Sequence, residues 1–158
     1  MFVIIYIMRV DSNMKVRIMS FREKIAWVSL VGIVIAFAPY FALVAAYRGP
    51  APVFPLYSGG LLVAVTIMTT TIVMLGSIGA ALTNLKDANA PADERDRGIA
   101  QRASAAGYAV LMPLLFFALA SLFLGLGKAA LANAVLGAIV IAEVVRCATE
   151  VVLYRKGA

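Results

Sequence analysis

Three stretches of this sequence, residues 25–47, 56–85 and 103–127, contain no charged side chain. Each exceeds the roughly 20 residues with which an α-helix crosses the hydrocarbon core of a bilayer. The overall balance agrees, with 63% apolar and only 14% charged residues, well outside the range of soluble domains. A fourth stretch, 129–153, starts equally apolar but is interrupted in its second half by Glu143, Arg146 and Glu150. It is long enough to count as a span, with its charges gathered toward one end.

A lipid-exposed backbone must satisfy its own hydrogen bonds, so spans of this kind are helices unless they close into a barrel. No ten-residue alternation of apolar and polar residues suggests a barrel. The connections divide the chain into two antiparallel hairpins: AYRGPAPVFPLYSGG is a Pro- and Gly-rich turn after the first helix, and GLGK a very tight one after the third. The fold expected is all-α, a polytopic membrane protein with a four-helix transmembrane bundle and helices at about 24–47, 56–85, 93–126 and 128–155. Residues 19–158 form its single domain.

Both ends of the chain and the loop NLKDANAPADERDR then share one side. That side carries Arg9, Lys15, Arg17, Arg22, Lys24, Lys86, Arg95, Arg97, Arg102, Arg155 and Lys156, against Arg48 and Lys128 on the other. The positive-inside rule makes the basic side, with both termini, cytoplasmic. The net charge of +6 comes mostly from residues flanking helices, so it suits anionic lipid headgroups rather than nucleic acid. Residues 1–18 stand apart. MFVIIYIM is too short to span and has no basic residue before it. It reads as an interfacial segment or as the product of a misassigned start, since Met14 and Met19 offer later ones.

Little in the sequence carries catalytic chemistry. There is no histidine, which removes the commonest general base and most zinc, copper and haem ligation. No phosphate-binding loop, dinucleotide fingerprint or nucleophile elbow occurs. Asp93, Glu94 and Asp96 are interleaved with Arg95 and Arg97, and their spacing matches no metal-coordinating loop. The expectation is a protein that is not an enzyme and holds no cofactor or metal. The lone cysteine, Cys147, reads as a small packing residue.

DERDR has a structural explanation as the start of the third helix. Pro91 precedes it, acidic residues meet the positive end of the helix dipole, and Asp93 pairs with Asp96 in a capping-box-like arrangement and with Arg97 four residues on. In the fourth helix Glu143, Arg146 and Glu150 share one face with Cys147 and Tyr154 beside them. Charged residues inside a membrane helix turn toward protein or water. The tight GLGK turn sets positions whose numbers sum to about 253 level with one another. Arg102 or Ser104 then lies near Glu150, Tyr108 near Arg146 and Asp96 near Lys156. A polar network of Arg102, Tyr108, Glu143, Arg146 and Glu150 follows, serving either as a charge ladder that fixes register or as a proton or ion relay. In the second helix, Thr66, Thr70 and Ser77 lie near Gly76, Gly79 and Ala80, a small-residue face for close helix packing. Pro39 and Pro113 should bend the first and third helices.

MSFREKIAWVSL, DERDRGIAQRASAAGY and AEVVRCATEVVLYRKG together resemble a family of small four-helix bacterial inner-membrane proteins, with an EK-x-AW start, a DERD motif before the third helix and a YR[RK]G ending. The resemblance runs from Met19 to the end and implies the fold and a bacterial setting, but no activity. Two functional classes follow from the residues. One is an accessory, sensory or interaction subunit that docks a protein partner through Asp93, Glu94, Arg95, Asp96, Arg97, Tyr154, Arg155 and Lys156. The other is a small transporter or channel, working as a homo-oligomer and using the Glu143, Arg146 and Glu150 face.

Overall fold

A computed structural model of the chain describes residues 20–47, 53–83, 93–125 and 127–156. The segment at residues 1–18, most of the loop before DERDR and part of the first turn lie outside the described residues. Four helices form: α1 (Phe21–Ala46), α2 (Phe54–Thr83), α3 (Glu94–Phe123) and α4 (Lys128–Lys156). They pack as an all-α bundle. Three of them, within Phe21–Ala46, Leu56–Thr83 and Glu94–Ala120, are long and apolar enough to cross a membrane, and the chain is a membrane protein on that ground. The fourth expected span also folds as a long helix, but it is not among these three. Its Glu143, Arg146 and Glu150 break the apolar run.

Local chemistry explains where the helices begin and end. Ser20 caps α1, its Oγ accepting the Glu23 N–H at 3.2 Å, in a Ser-x-x-Glu pattern that satisfies an orphan donor of the first turn. Asp93 caps α3, but differently from the expected capping box. Its carboxylate accepts the neighbouring Glu94 N–H at 2.8 Å and its backbone carbonyl accepts the Arg97 N–H at 3.1 Å. No ion pair joins Asp93 to Arg97 among the described residues. α3 stops where Gly125 adopts φ +70°, a left-handed conformation that costs a glycine little. The Gly127 carbonyl then accepts the Ala130 N–H at 2.9 Å, opening α4 immediately. α1 and α3 run on through Pro39 and Pro113 without a break.

The helices are arranged around α4. It packs along α3 and α1 and touches α2, whereas α2 packs mainly on α1 and α3 has no other helix-to-helix packing among the described residues. The spatial order is therefore α2, α1, α4, α3, so the two hairpins join through α1 and α4. Close approach between α1 and α2 depends on glycine. A Cβ at Gly76 would lie 2.3 Å from Val28 Cγ1, and one at Gly32 would lie 3.1 Å from Ile72 Cγ2. Of the small face expected on α2, Gly76 is used in this way while Gly79 looks onto open space. Toward the end of the bundle that holds the short turns, Ala36, Tyr40 and Val65 form a buried cluster with Phe37, Phe41, Leu62 and Leu136 around it.

Candidate functional site

The opposite end, where α1 and α3 begin and α2 and α4 finish, gathers the polar side chains. Arg22 on the first turn of α1 pairs with Asp96 on the first turn of α3, Nε to Oδ2 3.1 Å. The Tyr154 hydroxyl of α4 donates to the other Asp96 oxygen at 3.1 Å. One carboxylate thus holds three helices together. Nearby, the Arg155 guanidinium lies 5.0 Å from the centre of the Trp27 ring, a cation–π contact between α4 and α1. The Trp27 indole N–H is buried and has no hydrogen-bond partner among the described residues. α2 joins through Lys24, whose ammonium donates to Thr83 Oγ1 at 3.1 Å, and Thr83 in turn donates to the Ala80 carbonyl.

Deeper along α4, Arg146 lies between two carboxylates. Its Nε donates to both Glu143 oxygens at 2.9 and 3.0 Å, Nη2 also bonds Glu143, and Nη1 donates to Glu150 at 3.3 Å. The spacing of three and four residues puts all three groups on one face, as expected from sequence. By helical rise Glu143 is about 22 Å from Lys128 and about 20 Å from Lys156, near the middle of its helix. The side chains of Glu143, Arg146 and Glu150 are 40%, 34% and 17% exposed, so the triad is only partly enclosed. Two carboxylates and one guanidinium leave it a formal charge of −1. Cys147 is fully buried beside it.

The structure does not bring Arg102 or Tyr108 to this triad. Both are exposed, Tyr108 at 63%, and no hydrogen bond or ion pair joins either to α4. The level of α3 against α4 is close to that expected from the tight turn, because a Cβ at Gly107 would sit 3.1 Å from both Arg146 Cβ and the Ala142 carbonyl oxygen. The rotation differs. Ile99, Ala103 and Gly107 form the buried face, and at about 100° per residue Arg102 and Tyr108 are each turned away from it. A hairpin turn fixes height but not which face looks inward.

The docking residues also divide. Asp93, Glu94, Arg95, Arg97 and Lys156 are exposed, and so is the Arg155 side chain that stacks on Trp27. Asp96 is half-buried in its clamp and Tyr154 is only 6% exposed, so neither offers a free surface. One polar pair escaped the sequence reading entirely. Tyr40 on α1, 2% exposed, donates its hydroxyl to Asn133 Oδ1 on α4 at 2.7 Å, while Asn133 Nδ2 donates to the Ala129 carbonyl. The signal available was an asparagine inside an otherwise apolar run, which must find an internal partner. On α2 the hydroxyls of Thr66, Thr69, Thr70 and Thr71 all bond back to carbonyls four residues earlier, so each is satisfied within its own helix. Among the described residues no group of three or more acidic or cysteine side chains is arranged to hold a metal ion.

Compared with protein-family models, with curated proteins and with solved structures, the chain matches none.

Proposed function

We propose that this protein is a non-catalytic integral component of a bacterial inner membrane, with both termini cytoplasmic, which docks a partner through its charged end. The observation that carries the reading is the Asp96 clamp. By tying the first turn of α3 to Arg22 and Tyr154, it anchors the helix start that carries the exposed Asp93, Glu94 and Arg97. A preordered edge loses less conformational entropy on binding than a mobile loop. Asp96 and Tyr154 are then positioning residues, and the contact surface is Asp93, Glu94, Arg95, Arg97 and Lys156. A photo-crosslinking residue at position 94, used in native membranes, should give a discrete protein adduct that disappears when Asp93 and Arg97 are charge-reversed. The same probe at Phe117 should give only lipid adducts. Lipid adducts alone at both positions would overturn the docking reading.

The mid-helix triad favours the second reading, a small oligomeric transporter or channel. A net negative group about halfway along a membrane helix is costly unless it meets water, a cation or protein. Transport predicts that Glu143→Gln abolishes cation flux into proteoliposomes while the protein stays folded. No flux in the unaltered protein would dismiss it.

A further inference from the structure

Tyr108 carries a hydroxyl on the outside of the bundle, and that hydroxyl has no hydrogen-bond partner among the described residues. It lies about 9 Å along α3 from Arg102, the last charge before the uncharged run, and so at hydrocarbon depth. Glu143 on α4 is also partly exposed, and its carboxylate is not saturated. Oε1 accepts from both Nε and Nη2 of Arg146, whereas Oε2 accepts only from Nε. An ionised carboxylate oxygen has two lone pairs, so Oε2 can take one more donor. The two groups share one flank of the α3–α4 hairpin. The helices meet where a Cβ at Gly107 would lie 3.1 Å from the Ala142 carbonyl oxygen and from Arg146 Cβ. Seen from one end, antiparallel helices turn in opposite senses, so the steps from Gly107 to Tyr108 and from Ala142 to Glu143, each about 100°, lead to the same side. The same contact puts Tyr108 and Glu143 within about one helical turn of each other in depth. Ser104 and Met112 on α3 and Ile139 on α4, each four residues from one of the pair, extend this flank and are exposed.

We propose that this flank is the interface of a parallel homodimer, in which the Tyr108 hydroxyl of each copy donates to the partner's Glu143. Rotation about a two-fold axis along the membrane normal keeps every residue at its own depth. A donor and an acceptor at one depth on one flank therefore meet their counterparts twice, once on each side of the axis. Neither group can turn to water in the hydrocarbon, where an unmet hydroxyl and a partly exposed carboxylate are both costly. A second copy answers both needs at once, because the surface that offers the donor also offers the acceptor. The two α3–α4 hairpins then form a four-helix core, with Ser104 small enough to let the helices approach and Met112 and Ile139 supplying apolar contact. This interface goes beyond both readings of function, since it requires neither a protein docked at the charged end nor transport through the triad.

The test uses the full chain, carrying a donor or an acceptor fluorophore at its C-terminus, in bilayers of phosphatidylethanolamine and phosphatidylglycerol. Energy transfer between copies is followed as added lipid dilutes the protein. The unaltered chain should dimerise. One hydrogen bond between membrane helices is worth about fivefold in affinity, so Tyr108→Phe, which removes two per dimer, should weaken association roughly twenty-five-fold. Glu143→Leu should weaken it comparably. Phe117→Leu, at an exposed position about 180° round α3 from Tyr108, should change it by less than about twofold. The deciding experiment mixes Tyr108→Phe with Glu143→Leu. Such a pair keeps one bond, from the tyrosine of the second variant to the glutamate of the first, and should associate about fivefold more tightly than either variant with itself. A mixed pair no tighter than the two variants alone would place the effect within one copy and overturn the interface. A chain that stays monomeric would leave the flank to water, a cation or a different protein, and would overturn it too. Should Glu143→Leu not fold, the contrast between Tyr108→Phe and Phe117→Leu decides, equal losses counting against the proposal.

Discussion

Replacing Asp96 by alanine tests whether the charged end is held by one carboxylate. The substitution removes a hydrogen bond from the buried Tyr154 hydroxyl to a charged acceptor, an interaction of about 1.5–3 kcal/mol. It also breaks the ion pair with Arg22, whose partners are 40% and 24% exposed and which therefore contributes only about 0.2–1 kcal/mol. The tyrosine bond dominates, and the expected loss is about 2–3 kcal/mol. Asp96→Asn keeps an oxygen that can accept from Tyr154 while losing the charge facing Arg22, so it should retain most of the stability. Denaturant unfolding in mixed micelles, followed by circular dichroism, measures each variant. Tyr154→Phe combined with Asp96→Ala should cost clearly less than the sum of the single changes, since both remove the same bond. Strict additivity, or a neutral Asp96→Ala, would show that the two groups do not interact and that the three-helix clamp does not exist.

Further predictions concern the packing and the deeper polar groups. Gly76→Ala should destabilise by about 1–3 kcal/mol because its methyl would collide with Val28, and Val28→Ala should restore most of the loss; Gly79→Ala, facing open space, should be neutral or stabilising in the same unfolding assay. Tyr40→Phe should cost about 0.5–1.5 kcal/mol by unpairing Asn133, and in an Asn133→Leu background the same change should cost little. Arg146→Gln, which leaves Glu143 and Glu150 facing each other without their shared cation, should be more destabilising than the triple change of all three residues to glutamine. Arg102→Ala and Glu150→Ala should be additive, because no contact joins them; a coupling above about 0.5 kcal/mol would reinstate Arg102 in the network.

Three long apolar helices could be read from the uncharged runs because bilayer thickness sets the length of such runs independently of tertiary packing. The triad on α4 was equally legible, since Glu143, Arg146 and Glu150 belong to one helix and helical periodicity alone brings them together. What could not be read is the rotation of one helix against the next. The turn at Gly125 and Gly127 set the height of α3 on α4, but α3 carries little contrast between faces near Arg102, where Ala103, Ser104, Ala105 and Ala106 are all small. Which of them turns inward is decided by the close approach of Gly107 to Arg146. The Arg22–Asp96 contact joins residues distant in sequence through a helix pair that scarcely touches otherwise, and no local pattern marks it. Asn133 did leave a mark, one polar side chain amid apolar neighbours, although nothing nearby named Tyr40 as its partner.

The central place of α4 bears on how the protein is made. A ribosome delivers the helices in order, so α1 and α2 can associate as soon as both have entered the membrane, using Gly32 and Gly76. α3 has no such companion when it arrives, because among the described residues it packs on α4 and not on α2. Until Tyr154 emerges, Asp96 and Arg22 have only each other, and Tyr40 waits without Asn133. The last helix therefore turns a hairpin and a solitary span into one assembly. During that interval insertion machinery or membrane proteases would meet α3 unaccompanied, and substitutions at Gly107 or Asn133 would act by prolonging it.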